Sequence, residues 1–472
     1  MNKKLIHYII TALLIFGFGF LPPFDPITPF GMKILGSFLG VIYGWTAIGM
    51  IWPSLMALIS VGLTIGMPKL LSISFGDTVV TMLIMLFILI ALLNELHITE
   101  IIANYFVTNR LVQGRPWTLI FLFFLGVYVC TIIHPFVSIV LFASFLKSLC
   151  KQLDIKPHTA LPTSMMIGFA YVAMLGQIMF PFLSTGILLS SSFEAMNNGK
   201  PFSYLSYIMY MIPMSIVLIL FFVLIMRFIL RIDVSSLKNV TSDMIGEKKK
   251  MTRDQRIAFF GFLITIICIP LGSILPKSWP ITQFLSQLSM FGIVTLAVCI
   301  LMIFVNKEKK SLLDFSKMAS SGLLWDVILM LAYIMPISNL LSSEETGITA
   351  FLKQILAPLM SLSPIVFILL TLIFSVVVTN FANNAVIVIV LMPVVIAFSN
   401  QIGLNPACLM VVLFLATQLA LATPGGSPMT GLCFAYNDLV TPSMMMKYSL
   451  KFIPLMFLVT LLIGLPYALL IF

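Results

Sequence analysis

The chain has 472 residues, 60% of them hydrophobic and only 9% charged, a balance too apolar to clothe a soluble fold. Its formal net charge of +10 sits mostly in a few loops between apolar runs, which is the habit of cytoplasmic loops in membrane proteins and argues against a nucleic-acid partner. The six cysteines stand singly among apolar residues, with no CxxC pair or histidine cluster, so neither a disulfide framework nor a zinc site is implied.

The amino terminus, Met1-Asn2-Lys3-Lys4 followed by an apolar run to Leu21, has the charge pattern of a signal peptide. Pro22-Pro23-Phe24-Asp25 stands where a small-residue cleavage site belongs, so an uncleaved first span is expected. A crossing needs about 20 apolar residues. That length predicts spans near 5–22, 33–51, 52–70, 78–96, 160–190, 205–231, 257–275, 283–305, 323–341, 406–435 and 444–471. Two further stretches, 117–149 and 351–400, are each too long for one crossing and broken in the middle. The first breaks at Ile133-His134-Pro135, the second between Asn380 and Asn384. Each is either two full spans or a re-entrant hairpin that enters and leaves on one side.

Charge asymmetry arbitrates. With both stretches as hairpins, eleven spans counted from a cytoplasmic Lys3-Lys4 place Arg110, Arg115, Lys147, Lys151 and Lys156 inside. The same count places inside the loop from Arg227 to Arg256, with Arg231, Lys238, Lys248, Lys249, Lys250 and Arg253, and also Lys307, Lys309 and Lys310. The acidic Ser342-Ser343-Glu344-Glu345 and Phe193-Glu194 fall outside. Every strongly basic loop then shares one side, as the positive-inside rule asks. The expected fold is an all-α polytopic membrane protein of the cell membrane, with about eleven transmembrane helices and two re-entrant helical hairpins. Its amino terminus is cytoplasmic and its carboxyl terminus extracytoplasmic.

An internal repeat supports this picture. Sliding the chain by 249 residues lays Asp77 on Asp326, Glu95 on Glu344, and His134-Pro135 on Asn383-Asn384. After a slightly smaller shift, Gly176 through Pro181 falls on Gln418 through Pro424. Each half then holds a span, a hairpin and a broken span, and an odd number of spans per half inverts one half relative to the other. The expected organisation is an N-terminal scaffold over 1–70, a first repeat over 71–232 with hairpin 117–149, a cytoplasmic linker over 233–256, and a second repeat over 257–472 with hairpin 351–400.

The second half carries the chemistry. Asn380, Asn383 and Asn384 lie at the tip of its hairpin, and Ala422-Thr423-Pro424-Gly425-Gly426-Ser427-Pro428 breaks its next span. Proline removes backbone donors and glycine permits unwinding, so this run should free carbonyls for a cation and leave a helix start for an anion. The plainer reading is that the amides glue helices and the Gly-Pro run is a kink. The first half is poorer: its tip has His134 and no amide, and its broken span keeps Gln177, Ser184 and Thr185. His134 is either a titratable group in a proton-coupled cycle or a neutral packing residue. Asp77 and Asp326 begin their spans, where an acid caps a helix. Nothing has the spacing of a nucleophile with its base, a nucleotide loop or a metal cluster, so no enzyme and no resident cofactor are expected.

At the two breaks the chain resembles the divalent anion/sodium symporter family of the ion transporter superfamily. Members end each hairpin in Ser-Asn-Thr, follow it with Leu-Pro, and break a later span at Ala-Thr-Pro-Pro-Asn. Here Asn383-Asn384-Ala385 stands at Ser-Asn-Thr, Met392-Pro393 follows, Ala422-Thr423-Pro424-Gly425 opens the later motif, and Trp325-Asp326-Val327 looks like a family helix start. The resemblance implies a homodimeric secondary transporter of a small organic anion, di- or tricarboxylate-like, working by elevator-type alternating access. It implies a sodium site at Thr379, Ala382, Asn384 and Ala422, the alanines through their carbonyls. Its substrate contacts fall on Asn383, Asn384, Ala385, Thr423, Pro424 and Gly425, with His134 and Ser184 from the first half. The first cation site does not survive, because His134-Pro135-Phe136 replaces Ser-Asn-Thr and Leu183-Ser184-Thr185-Gly186 replaces the turn. A proton-coupled transporter, a cation/proton antiporter, an efflux pump of the same superfamily and a non-transporting membrane binding or assembly protein stand as alternatives.

Overall fold

A computed structural model describes residues 3–107, 114–240, 250–276, 278–305, 310–348, 350–351, 354, 363–381 and 383–472. Ala382 of the expected sodium site lies outside them, as do Arg110, Lys248, Lys249, Lys307 and Lys309 of the basic loops and the side chain of Ser184.

The described residues form helices joined by short loops. In the first half these are α1 (Lys3–Ala12), α2 (Pro29–Ala47), α3 (Ile51–Ile65), α4 (Met67–Ile73), α5 (Thr78–Glu95), α6 (Ile98–Val107), α7 (Pro116–Cys130), α8 (Pro135–Gln152), α9 (Ala160–Gln177), α10 (Ser184–Met196) and α11 (Tyr204–Leu224). The second half holds α12 (Arg253–Ile274), α13 (Pro280–Ile303), α14 (Phe315–Gly322), α15 (Trp325–Ser342), α16 (Pro364–Thr379), α17 (Asn384–Gln401), α18 (Pro406–Thr417), α19 (Pro428–Phe434), α20 (Pro442–Val459) and α21 (Leu465–Ile471). Among the described residues, seven helices are long and apolar enough to cross a membrane.

Local chemistry sets the boundaries. Proline begins α2, α7, α8, α13, α16, α18, α19 and α20, where its missing N–H costs nothing and its fixed φ suits the first turn. Side chains take up the free N–H groups that remain. Thr28 accepts from Gly31 N at 3.0 Å, and Asp77 accepts from Val79 N at 2.8 Å and Val80 N at 3.4 Å. Thr252 and Gln255 form a reciprocal capping box at the start of α12.

The expected breaks fall where the sequence places them. α7 and α8 are separated at Thr131–His134, and α16 and α17 at Asn380–Asn383. The first arms, of 15 and 16 residues, reach only about 22–24 Å at 1.5 Å per residue. That falls short of the roughly 30 Å hydrocarbon layer, and it accords with arms that end inside the membrane. The next spans are broken too, between Gln177 and Ser184 and between Thr417 and Pro428. The same order of helix, hairpin and broken span therefore occurs twice.

The two broken spans lie at the centre. Residues Leu161 to Gly176 of α9 are buried on every side, and so is the whole of α18. A helix apolar all round belongs in a core. Around these two, α12 and α13 turn large apolar side chains outward, Ile264, Ile267, Ile300 and Ile303 among them, as lipid-facing helices do.

Candidate functional site

The tip of the second hairpin docks onto the break between α18 and α19, and its amides make the joint. Asn383 caps α17, its Oδ1 accepting Ala385 N at 3.0 Å. Asn384 Oδ1 accepts the same N–H at 3.0 Å, and its Nδ2 donates to Gln418 Oε1 at 2.9 Å. Gln418 is oriented for this by donating its own amide to Phe414 O at 2.7 Å. The Asn384 backbone N–H donates to Gly426 O at 3.3 Å. Asn384 Nδ2 also lies 3.9 Å from Met174 Sδ of α9, one of the places where the two halves touch.

Asn380 does more than the sequence assigned to it. Its Nδ2 donates to Val376 O at 2.7 Å and Leu419 O at 3.1 Å, while its Oδ1 accepts Ala422 N at 2.7 Å. The Thr423 hydroxyl in turn donates to the Asn380 carbonyl. Thr379 Oγ1 donates to Thr417 O at 3.1 Å. The backbones approach closely at one further point. A Cβ added to Gly426 would stand 2.9 Å from Thr379 O and 3.2 Å from Ala420 Cβ, so only glycine fits without a shift.

The break does release carbonyls from the helical ladder, as Pro424 and the paired glycines require, but the protein itself takes several of them up. Thr417 O and Leu419 O go to the tip as described, and Ala420 O accepts Thr430 Oγ1 at 2.6 Å. The start of α19 is likewise capped from within, since Ser427 Oγ accepts Thr430 N at 3.1 Å. A carbonyl has two lone pairs, so these oxygens retain capacity for a cation. Every group traced at this tip is neutral, and Thr379, Asn380, Asn384 and Ala422 are all buried.

The first half repeats the docking without the amides. Thr131 occupies the position of Asn380; its Oγ1 donates to Val127 O at 2.7 Å and stands 3.2 Å from Ser138 Oγ. Its side chain packs on Gly176, where an added Cβ would come within 2.8 Å of Thr131 Cβ. Laying Gln177 on Gln418 makes Ile178 the counterpart of Leu419. Its carbonyl accepts the Tyr207 hydroxyl at 2.8 Å, a donor from α11 doing what Asn380 does in the second half. Gln177 has no hairpin amide to meet, because Pro135 stands at the position of Asn384; its Oε1 accepts Thr185 Oγ1 at 3.2 Å instead. His134 caps α8, its Nδ1 accepting Val137 N at 3.4 Å, with its ring beside Phe136.

The structure thus gathers Thr379, Asn384, Ala385 and Ala422 into one buried joint, with Thr423 at its edge. It leaves Asn383 half-buried and Pro424 and Gly425 exposed at the apex. The traced contacts of His134 are with its own hairpin. Two residues outside the expected ligand sets emerge as structural partners, Asn380 and Gln418. For Gln418 a signal existed: both breaks open with a glutamine, Gln177 and Gln418, that lies at the end of an otherwise apolar limb.

Comparison with known proteins finds transporters among its relatives. The chain is 22% identical over 244 residues to the sodium-dependent dicarboxylate transporter SdcS of Staphylococcus saprophyticus, a match covering 50% of this chain and 46% of that protein. It is 26% identical over 139 residues to the Na(+)/dicarboxylate cotransporter 3 of Rattus norvegicus, covering 29% of this chain and 23% of the relative. These matches therefore span half or less of the relatives' lengths. Among solved structures, the YdaH transporter of Alcanivorax borkumensis superposes with a TM-score of 0.58 at 12% identity, covering 86% of this chain and 90% of that one. MtrF of Neisseria gonorrhoeae, of a class of antimetabolite efflux pumps, superposes with a TM-score of 0.52 at 13% identity, covering 97% and 94%. At such identities these likenesses establish the shared fold alone. The profile of the sodium:sulfate symporter transmembrane region matches residues 2–472, so the chain belongs to that transporter family, the divalent anion/sodium symporters.

Proposed function

We propose that the chain is a secondary active transporter that carries a small organic anion, a di- or tricarboxylate, together with sodium bound at one site in the second half. The observation that carries this reading is the neutral, buried joint between the second hairpin tip and the Ala422–Pro428 break. A carboxylate brought to such a place loses its hydration, at an effective cost of several kcal/mol per ion. The start of α17 offers roughly half a positive charge from its dipole. A sodium ion held by Thr379, Asn384 and the carbonyls of Ala382 and Ala422 would supply the rest, so anion and cation would each lower the cost of the other. Substrate would lie against Asn383, Asn384, Ala385, Thr423, Pro424 and Gly425, with His134 and Ser184 facing it from the first half.

The docked hairpin and broken span would move as one body past the scaffold, which is elevator-type alternating access. The 71–232 and 257–472 repeats would be inverted relative to each other, and the chain would act as a homodimer. The amino terminus would be cytoplasmic and the carboxyl terminus extracytoplasmic. A reporter fused after Phe472 that proves cytoplasmic overturns that orientation.

Uptake of a radiolabelled dicarboxylate into proteoliposomes tests the function. Sodium-gradient-driven accumulation supports it, and absence of flux under sodium and proton gradients, with protein shown to be folded, contradicts it. Proton coupling is the second reading. It is favoured by the one titratable side chain at the first tip, His134, which stands where the family has an amide-bearing triplet.

A further inference from the structure

Where α11 ends, basic and aromatic side chains gather at a corner that neither hairpin tip uses. Along its length α11 turns Met209, Ile216 and Leu220 outward at helical spacing, an apolar stripe of the kind that faces lipid. A π-turn over Ile225–Ile229 lets one extra residue into that spacing, and Phe228 and Ile229 emerge exposed at the foot of the stripe. Arg227 lies beside them. Its guanidinium carbon stands 5.9 Å from the centre of the Trp117 ring, at the start of α7, and 5.0 Å from that of Phe228. A cation resting on aromatic faces uses none of its N–H groups on them, so the donor edge of the guanidinium stays open.

Beyond this point the backbone turns sharply, with Arg231 at φ 48°, a left-handed conformation uncommon outside glycine. Ile232, Val234, Leu237 and Val240 are buried, and the turn Ser235–Asn239 packs against α7. That anchoring leaves Arg231 and Lys238 exposed, and Arg115, two residues before Trp117, is exposed as well. The acid of this turn, Asp233, accepts Ser235 N at 2.9 Å. α12, which packs on α11, opens with Arg253 and Arg256 against Asp254. Positive charge therefore dominates the corner. Among the described residues no ion pair takes up Arg115, Arg227 or Arg231.

We infer that this corner is a headgroup site for one anionic phospholipid, with the phosphate on the open edge of Arg227 and the acyl chains against Ile216, Leu220 and Phe228. The planar guanidinium matches a phosphate with two parallel hydrogen bonds. Arg115, Arg231 and Lys238 supply the surrounding charge that draws an anionic headgroup and disfavours a choline or ethanolamine headgroup, which brings its own cation. Tryptophan settles at the membrane boundary, so Trp117 fixes Arg227 at headgroup depth. What separates this corner from an ordinary basic loop is that an aromatic seat holds one guanidinium at the foot of an apolar stripe. The lipid would bridge the start of the first hairpin and the end of α11. The inference is independent of the cargo and of the coupling ion.

The experiment is thermal unfolding of the purified full chain in detergent at constant ionic strength, titrated with phosphatidylglycerol or with phosphatidylcholine of the same acyl chains. Wild type, Arg227→Gln, Arg227→Lys, Trp117→Phe and Lys151→Gln are compared, the last altering a basic residue at the end of α8. Phosphatidylglycerol should stabilise wild type more than phosphatidylcholine does. Arg227→Gln should raise the phosphatidylglycerol concentration needed for half the effect at least fivefold, and Arg227→Lys and Trp117→Phe at least twofold each. Lys151→Gln should match wild type. Should Arg227→Gln fail to fold, Arg227→Lys and Trp117→Phe decide. Equal stabilisation by the two lipids overturns the inference, and so does an equal loss in Arg227→Gln and Lys151→Gln, which would show a diffuse field in place of a site. An Arg227-dependent shift of the same size with soluble glycerol phosphate also overturns it, because the ligand would then not be a lipid.

Discussion

The side-chain amide of Asn384 donates to the amide oxygen of Gln418 at 2.9 Å, joining a hairpin tip to the broken span that follows it 34 residues on. In water such a bond is nearly neutral, because both amides are satisfied when apart. At membrane depth the separated groups have few other partners, and the bond contributes about 0.6–2 kcal/mol. Under the proposed function the same atoms would meet the ligand, and the joint would hold the tip in register while remaining weak enough to be remodelled when an ion or anion arrives.

Asn380, which holds the tip, and Asn383, proposed to face the ligand, should differ in their effect on stability. Asn380→Ala strips partners from Ala422 N and Leu419 O, and each orphaned buried group costs about 1–3 kcal/mol. Asn383→Ala removes only a helix cap, costing typically about 1 kcal/mol. Thermal unfolding in detergent should show the Asn380 variant several degrees less stable than the Asn383 variant. Equal midpoints would mean that the tip is not held by Asn380.

Neighbouring glycines should respond unequally. Gly426→Ala drives a methyl to 2.9 Å from Thr379 O, whereas the nearest atom to a Cβ on Gly425, Thr423 Oγ1, is 3.8 Å away. Gly426→Ala should lower sodium-dependent uptake at least tenfold at normal expression, and Gly425→Ala by less than threefold. Similar uptake by the two variants contradicts the close docking of tip and break.

Coupling should be reduced relative to a two-site transporter. In the first half Pro135 stands where the second half has Asn384, which removes both an amide side chain and a backbone donor. Reversal-potential measurement in proteoliposomes is expected to give fewer than two sodium ions per substrate. A value of two or more shows that the first half still carries a coupling ion.

Lys147 of α8 pairs with Asp438, in the loop after α19, and ties the end of the first hairpin to the end of the second broken span. The Lys147 ammonium holds the Asp438 carboxyl below the usual carboxylate range. A carboxyl lowered in this way adds stability above its unfolded pKa of about 3.9 and loses it only as pH falls further. Both side chains are substantially exposed, so Asp438→Asn should cost less than about 1 kcal/mol. That cost should stay constant from pH 5 to 8. A difference between variant and wild type that changes steeply within that window would assign the pair a titrating role it is not expected to have.

The membrane class and the four breaks were readable because they depend on local chemistry: long apolar runs, and proline or polar residues where a helix must stop. His134-Pro135 and Asn383-Asn384 announce themselves within a few residues. What escaped was the partner of each freed backbone group. Tyr207 reaches Ile178 from 29 residues away, and Asn380 reaches Ala422 across 42. Such pairings follow from helix packing, which apolar sequences of uniform hydrophobicity encode only weakly. The repeat located the counterparts, but it offered no means of seeing that a tyrosine on α11 would replace a hairpin amide.

The account rests on the second-half joint being the place where sodium and anion meet. Its most direct test is sodium-driven dicarboxylate uptake by proteoliposomes holding wild type or Asn384→Ala, with equal amounts of folded protein confirmed by size-exclusion chromatography. Wild type should accumulate substrate only with an inward sodium gradient, and Asn384→Ala should fall at least tenfold with a raised sodium requirement. Uptake by Asn384→Ala within twofold of wild type, at the same sodium dependence, would contradict it.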